Sequence, residues 1–210
     1  NRSGFPAGDN PSTRRLLRLD CPAQSFLTLH NNDFLNQIMF FFSKIGKGGF
    51  VFWIIVLIYS AYFFFKKKDK KLTLLTLGYF ISLGIAFVLV DYVIKPIVKE
   101  SRPFVRYPEI LTFFEKYNYK TPSDYSFPSG HSVAAFLALS YLMFIDKKSL
   151  FITIPLSILI SFSRIYIGAH YIGDVLVGMS IGLAIGICFY FALKLIIDKI
   201  YKDKEVVQWD

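Results

Sequence analysis

The sequence predicts an all-α fold: a polytopic membrane helix bundle of about five transmembrane helices plus an N-terminal interfacial amphipathic helix. Three observations predict it. The 210 residues are 54% hydrophobic and 18% aromatic, with mean hydropathy +0.45, which is more apolar than a soluble domain of this size. The apolar residues fall in separate runs long enough to approach a bilayer thickness. Much of the formal net charge of +9 sits in short basic clusters between those runs, where membrane flanks carry it. Backbone groups in hydrocarbon must bond within their own segment, so the spans are helices. The charge pattern fits a membrane bilayer as partner and gives no nucleic-acid face; the oligomeric state is left open.

In chain order, residues 1–25 form a polar arm with Gly, Pro and Arg and no periodicity, and are set aside as an expression remnant or a processed terminus. Residues 26–48 mix Phe26, Leu27, Phe34, Ile38 and Phe41 with Asn31, Asp33, Asn36 and Gln37. That is too polar to span, and predicts a helix lying at the interface until Lys44-Ile45-Gly46-Lys47-Gly48-Gly49 breaks it. The transmembrane domain covers 49–200, with spans at 50–65, 72–94, 132–145, 150–162 (continuing through Tyr166) and 175–197. In the last span Gly178, Gly182 and Gly186 recur every four residues, a spacing that lets helices approach closely. Residues 95–127 make a long polar connection, of the kind that is usually functional. Residues 201–210 are a charged cytoplasmic tail. The two cysteines, Cys21 in the arm and Cys188 in an apolar run, suggest neither a disulfide nor a metal site.

Counting sides, the basic turns at 66–71 and 146–149 share one face with the tail, and that face is cytoplasmic by its lysines. Three chemically loaded clusters then share the opposite face. Lys95-x6-Arg102-Pro103 supplies two cations; taken alone, it is a snorkelling flank. Pro128-Ser129-Gly130-His131 opens a helix, where free N–H groups attract anions; taken alone, it is an N-cap. Ser163-Arg164-x5-His170-x3-Asp174 places an Arg, a His and an Asp between apolar runs. Ionisable groups there mark function by default, and the four-residue spacing of His170 and Asp174 would put both on one helix face. Together these offer three cations, a helix N-terminus and two histidines, with no carboxylate cage for a divalent metal. That inventory suits phosphoryl transfer by positioning and charge stabilisation.

These three motifs, in this order and without substitution, resemble the signature of the type 2 phosphatidic acid phosphatases, membrane lipid phosphatases related to vanadium haloperoxidases. The resemblance implies removal of a terminal phosphate from an anionic lipid phosphate without metal or cofactor. It implies His170 as nucleophile, Asp174 as its orienting partner and His131 as the general acid. Lys95, Arg102 and Arg164 would hold phosphate, helped by Ser129 and the Gly130 N–H. Substrates implied are lipid A 1-phosphate, phosphatidylglycerophosphate, undecaprenyl pyrophosphate and phosphatidic acid, met at the outer, periplasmic face of the cell inner membrane. Lys99, Arg106 and Lys116 in the long connection are candidates for headgroup contact, Lys120 adds to its basic charge, and that connection, which also carries Tyr107, Tyr117 and Tyr119, is expected to form a lid. Two other readings are a lipid phosphotransferase and a non-catalytic phospholipid-binding protein. The second leaves the His131, His170 and Asp174 set without a purpose.

Overall fold

The structure, a computed structural model, describes residues 32–207. The expected arm at 1–25, Cys21 and the start of the expected interfacial helix lie outside the described residues. All regular structure among the described residues is helical. Helix α1 is Asp33–Ile45, α2 Phe50–Ala61, α3 Lys70–Phe87, α4 Pro103–Arg106, α5 Glu109–Lys116, α6 Gly130–Ile145, α7 Leu150–Tyr166 and α8 Ile172–Val207.

Each start is set locally. Asn32 caps α1 by accepting from the Leu35 N–H at 3.1 Å, and Asp69 caps α3 by accepting from the Leu72 N–H at 2.8 Å. Ser129 caps α6 through the Ser132 N–H. Helix α3 runs on through a π-helical turn, Val88–Ile94, and a last α turn, Lys95–Val98, and stops at Lys99, whose φ of 53° is left-handed. Helix α8 continues as far as Val207, through the first part of the segment expected as a tail.

Among the described residues, four helical segments are long and apolar enough to cross a membrane: Lys47–Lys67, Lys70–Arg106, Lys147–Tyr166 and Ile172–Lys202. Outward-facing Leu57, Ile81, Ile158 and Leu195 give them an apolar exterior suited to lipid. The fifth, α6, has 16 residues and is about 24 Å long at 1.5 Å per residue. It is short because it is central. Val133, Ala134, Ala135, Leu137, Ala138 and Tyr141 are almost fully buried among the other helices, so it need not match the hydrocarbon thickness. Small residues let α8 lie against it. A Cβ on Gly178 would stand 2.7 Å from the Ser129 carbonyl oxygen, and one on Gly182 would collide with the Val133 carbonyl.

The chain alternates between two ends. Contacts across the far end join the segments expected to share a side: Lys71 and Lys194 pair with Asp198, and Tyr59 reaches Asp146 at 3.4 Å. At the other end the long connection is not one loop. Its helices α4 and α5 pack on α1 in a second core, with Phe40 against Phe113, Phe114, Tyr117 and Tyr119. Helix α1 turns polar residues inward as well as outward. Asn36 is fully buried, bonded to the Tyr117 and Tyr166 hydroxyls at 3.0 and 2.8 Å, while Phe34 and Phe41 are exposed.

Candidate active site

The end of α3, the start of α6 and the α7–α8 turn converge on one cavity of about 940 Å³, lined by Lys95, Arg102, Gly130, His131, Arg164 and His170. Segment 118–125 also lines it, with Ser43, Lys44 and Lys47 from the α1–α2 junction.

His170 does not sit on a helix. Helix α7 ends at Tyr166, Gly168 turns the chain at φ 72°, and α8 begins at Ile172. Both the Ala169 and His170 N–H groups donate to the Arg164 carbonyl. Asp174, in the first turn of α8, reaches back and accepts from the Tyr171 N–H at 2.9 Å, with its Oδ2 3.4 Å from His170 Nδ1. The pair therefore meets through a helix N-terminus, not by sharing a helix face as the spacing suggested. Ser126 joins them: its hydroxyl donates to Asp174 Oδ2 and lies 3.4 Å from His170 Nδ1.

This arrangement fixes the imidazole tautomer. Arg102 Nη1 is 3.1 Å from His170 Nε2, and a guanidinium can only donate, so Nε2 accepts and the proton lies on Nδ1, towards Asp174. Burial, then the positive charge of Arg102 and Arg164, holds the ring well below its ordinary pKa. His170 is neutral at physiological pH, with a lone pair on the cavity side.

The cations are buried and partnered. Lys95 donates to Asp91 at 2.7 Å and to Asp124. Arg102 donates to the Asp124 carboxylate (2.7 Å), the Asp124 carbonyl (2.8 Å) and the Ala169 carbonyl (2.9 Å). Burial pushes the Asp124 carboxyl up, but Arg102 and Lys95 outweigh it and hold the group below the ordinary carboxylate value. Arg164, 1% exposed, donates to the Ser43 and Tyr119 hydroxyls, and its Nε has no partner. His131 Nε2 donates to the Ser43 carbonyl at 3.2 Å. Ser129 is fully buried; its N–H donates to the Asp174 carbonyl at 3.0 Å, tying α6 to α8, and its hydroxyl accepts from Ser132. Gly130 faces open space.

Of the headgroup candidates, Lys99, Arg106 and Lys116 do not line the cavity. Lys116 pairs with Asp33 at 2.8 Å, and Arg106 lies over the Tyr107 ring. Lys120, from the same basic connection, does line it, and so do Lys44 and Lys47. Asp124, Ser126 and Ser43 were not singled out from sequence. Among the described residues no three His, Cys, Asp or Glu side chains group as a metal site.

Comparison with known proteins identifies the family. A family model described as the PAP2 superfamily matches residues 73–197. The chain is 30% identical to phosphatidylglycerophosphatase B of Bacillus subtilis (strain 168), over 74% of this chain and 73% of that protein. It is 29% identical to undecaprenyl-diphosphatase BcrC of the same organism, over 77% and 76%. A lipid A 4'-phosphatase of Porphyromonas gingivalis is 30% identical over 64% of this chain and 58% of that protein. The crystal structure of a transmembrane PAP2-type phosphatidylglycerolphosphate phosphatase from Bacillus subtilis superposes with a TM-score of 0.59 at 26% identity, covering 85% of this chain and 83% of that one. The matched stretch takes in every spanning helix from α3 onward and all three clusters around the cavity: the chain belongs to the PAP2 superfamily.

Proposed function

We propose that this chain removes the terminal phosphate of an anionic membrane lipid through a phosphoryl group carried on His170. The chain is a multi-pass membrane protein and a hydrolase of phosphoric esters; the route, the lipid and the side are our reading. One observation carries the route: His170 Nδ1 faces Asp174 and its Nε2 is turned towards Arg102 in the cavity. Arg102 Nη1 holds the Nε2 lone pair at rest; once a phosphate takes the guanidinium, the freed lone pair can attack phosphorus, forming an N–P bond as the ester P–O bond breaks. Lys95, Arg102, Arg164 and the α6 N-terminus at Gly130 would carry the phosphoryl oxygens. The orphaned Arg164 Nε is a buried donor awaiting an acceptor. In its protonated form, His131 would give a proton to the departing alkoxide and return to the neutral ring. It would then take one from the water that cleaves the N–P bond and frees inorganic phosphate.

Phosphatidylglycerophosphate, undecaprenyl diphosphate and lipid A phosphates share a terminal phosphate on a strongly anionic headgroup. Lys44, Lys47 and Lys120 around the cavity suit that class. The deciding experiment is trapping with a radiolabelled lipid phosphate, followed by mass spectrometry. Label on His170, and no label or phosphate release in His170→Ala, is expected; label on any other residue refutes the route. The lysines at the far end argue that the cavity opens on the outer face. Single cysteines at Ser123 and Lys68 should then label from opposite sides, and labelling of Lys68→Cys from outside would reverse the orientation.

A further inference from the structure

We infer that Asp124 is a resident counter-ion which an incoming phosphate must displace, and that it sets the charge a headgroup needs to enter the site. This rests on the reading of the cavity as a phosphate site. The Lys95 and Arg102 side chains are 7% and 5% exposed, too deep for water to balance their charge. Asp91 shares Lys95, and Asp124 spans both cations with a geometry that imitates phosphate. One carboxylate oxygen takes Lys95, the other takes Arg102 Nη2, and the backbone carbonyl takes Arg102 Nε. The remaining partners of Arg102, the Ala169 carbonyl and His170 Nε2, are both neutral.

The mobility is asymmetric. The cations come from the helical end of α3 and from the residue that opens α4, whereas Asp124 comes from a segment with no regular structure, and its side chain is 47% exposed. That segment is pinned at both ends. Tyr119 bonds Ser43 and Arg164, and Ser126 bonds the Glu100 carbonyl and Asp174. Between the pins, Lys120, Thr121 and Ser123 are exposed, so the carboxylate can swing into water while the cations stay buried.

Charge then decides what displaces it. A phosphodiester headgroup carries one negative charge, as Asp124 does, and gains nothing by exchange. A terminal phosphate carries nearly two at neutral pH. The device admits terminal phosphates and rejects the diester lipids of the surrounding bilayer.

The test uses the full chain in a maltoside micelle and calorimetric titration with inorganic phosphate and with dimethyl phosphate, so it needs no turnover. Asp124→Asn should bind inorganic phosphate roughly 10–100-fold more tightly than the wild type, and should acquire measurable binding of dimethyl phosphate. Unchanged or weaker phosphate binding in a folded Asn variant overturns the inference, because the carboxylate then only positions Lys95 and Arg102. No phosphate binding by either protein overturns the phosphate-site reading, and this inference with it. A second measurement needs only the wild type: saturating phosphate should speed amide exchange across 120–125. Protection there, or no change, counts against displacement.

Discussion

The two ends of the bundle carry the same kinds of charged side chain and use them differently. At the far end Lys71 and Lys194 share Asp198, all of them 35–45% exposed. Water solvates each partner there, so the pairs fasten helix ends and little else. At the cavity end Lys95, Arg102, Arg164 and His170 are all 7% exposed or less. A charge held that deep must be matched by a partner, by a ligand, or by a shift in protonation. The structure contains each answer: Asp124 on the cations, an unpartnered Nε on Arg164, and a neutral His170. The same helices thus end in solvated ion pairs on one side and in a cationic cavity on the other. The difference lies in what covers them, chiefly α1, α4, α5 and the segment after them.

The comparison is sharpest at the histidines. His131→Ala removes, on the proposed route, only the proton for the leaving group. Turnover on a lipid alkyl phosphate should fall roughly 10²–10⁴-fold. An aryl phosphate departs without that proton, so on it the variant should regain most of the loss, measured as kcat on the two substrates. Equal loss on both would mean that His131 holds the phosphate or the fold, not the leaving group. Its contact with the Ser43 carbonyl makes the second outcome a real competitor, since that bond also fixes α1 over the cavity.

Much of this was legible in the sequence. The spanning runs, the three clusters and their shared end follow from hydropathy, charge and spacing, because a bilayer forces backbone into helices and makes buried charge conspicuous. What escaped was the cover. Ser43 and Asn36 belong to a helix whose polar residues read as a wet face, and only the packing of α5 and α7 turns them inward. Asp124 and Ser126 lie in a stretch without periodicity, so nothing marked which polar residue would reach the site. Lys44 and Lys47 read as a helix break, and Lys99, Arg106 and Lys116 as headgroup contacts. Their actual positions depend on how α4 and α5 fold over α1, a long-range arrangement that spacing does not encode. The tie between His170 and Asp174 was expected for the wrong geometric reason: the helix starts between them.

The glycines of α8 separate the two ends most finely. Ala favours a helix over Gly by about 1 kcal/mol, so any loss of stability reports the close approach to α6 and not the backbone. Gly178 and Gly186 approach the α6 backbone about equally closely. A Cβ on the first would meet the Ser129 carbonyl at 2.7 Å; on the second it would meet the Leu137 carbonyl at 2.8 Å and collide with the Ser140 hydroxyl. Each Ala variant should therefore lose about 1–3 kcal/mol, read as a lower unfolding midpoint in detergent. Their activities should differ. Ser129 caps α6, and its N–H holds the Asp174 carbonyl, so pushing α6 off Gly178 shifts Gly130 and His131 relative to His170. A shift of that kind, up to about 1 Å, costs up to about 10²-fold in rate. Gly186 lies two turns further along, against the middle of α6, and its Ala variant should keep the kcat of the wild type at any temperature where it stays folded. Equal loss of kcat in both would mean that α6 moves as one rigid body and that the site end has no local hold on its own geometry. Loss confined to Gly178→Ala would locate that hold at the bond between Ser129 and Asp174.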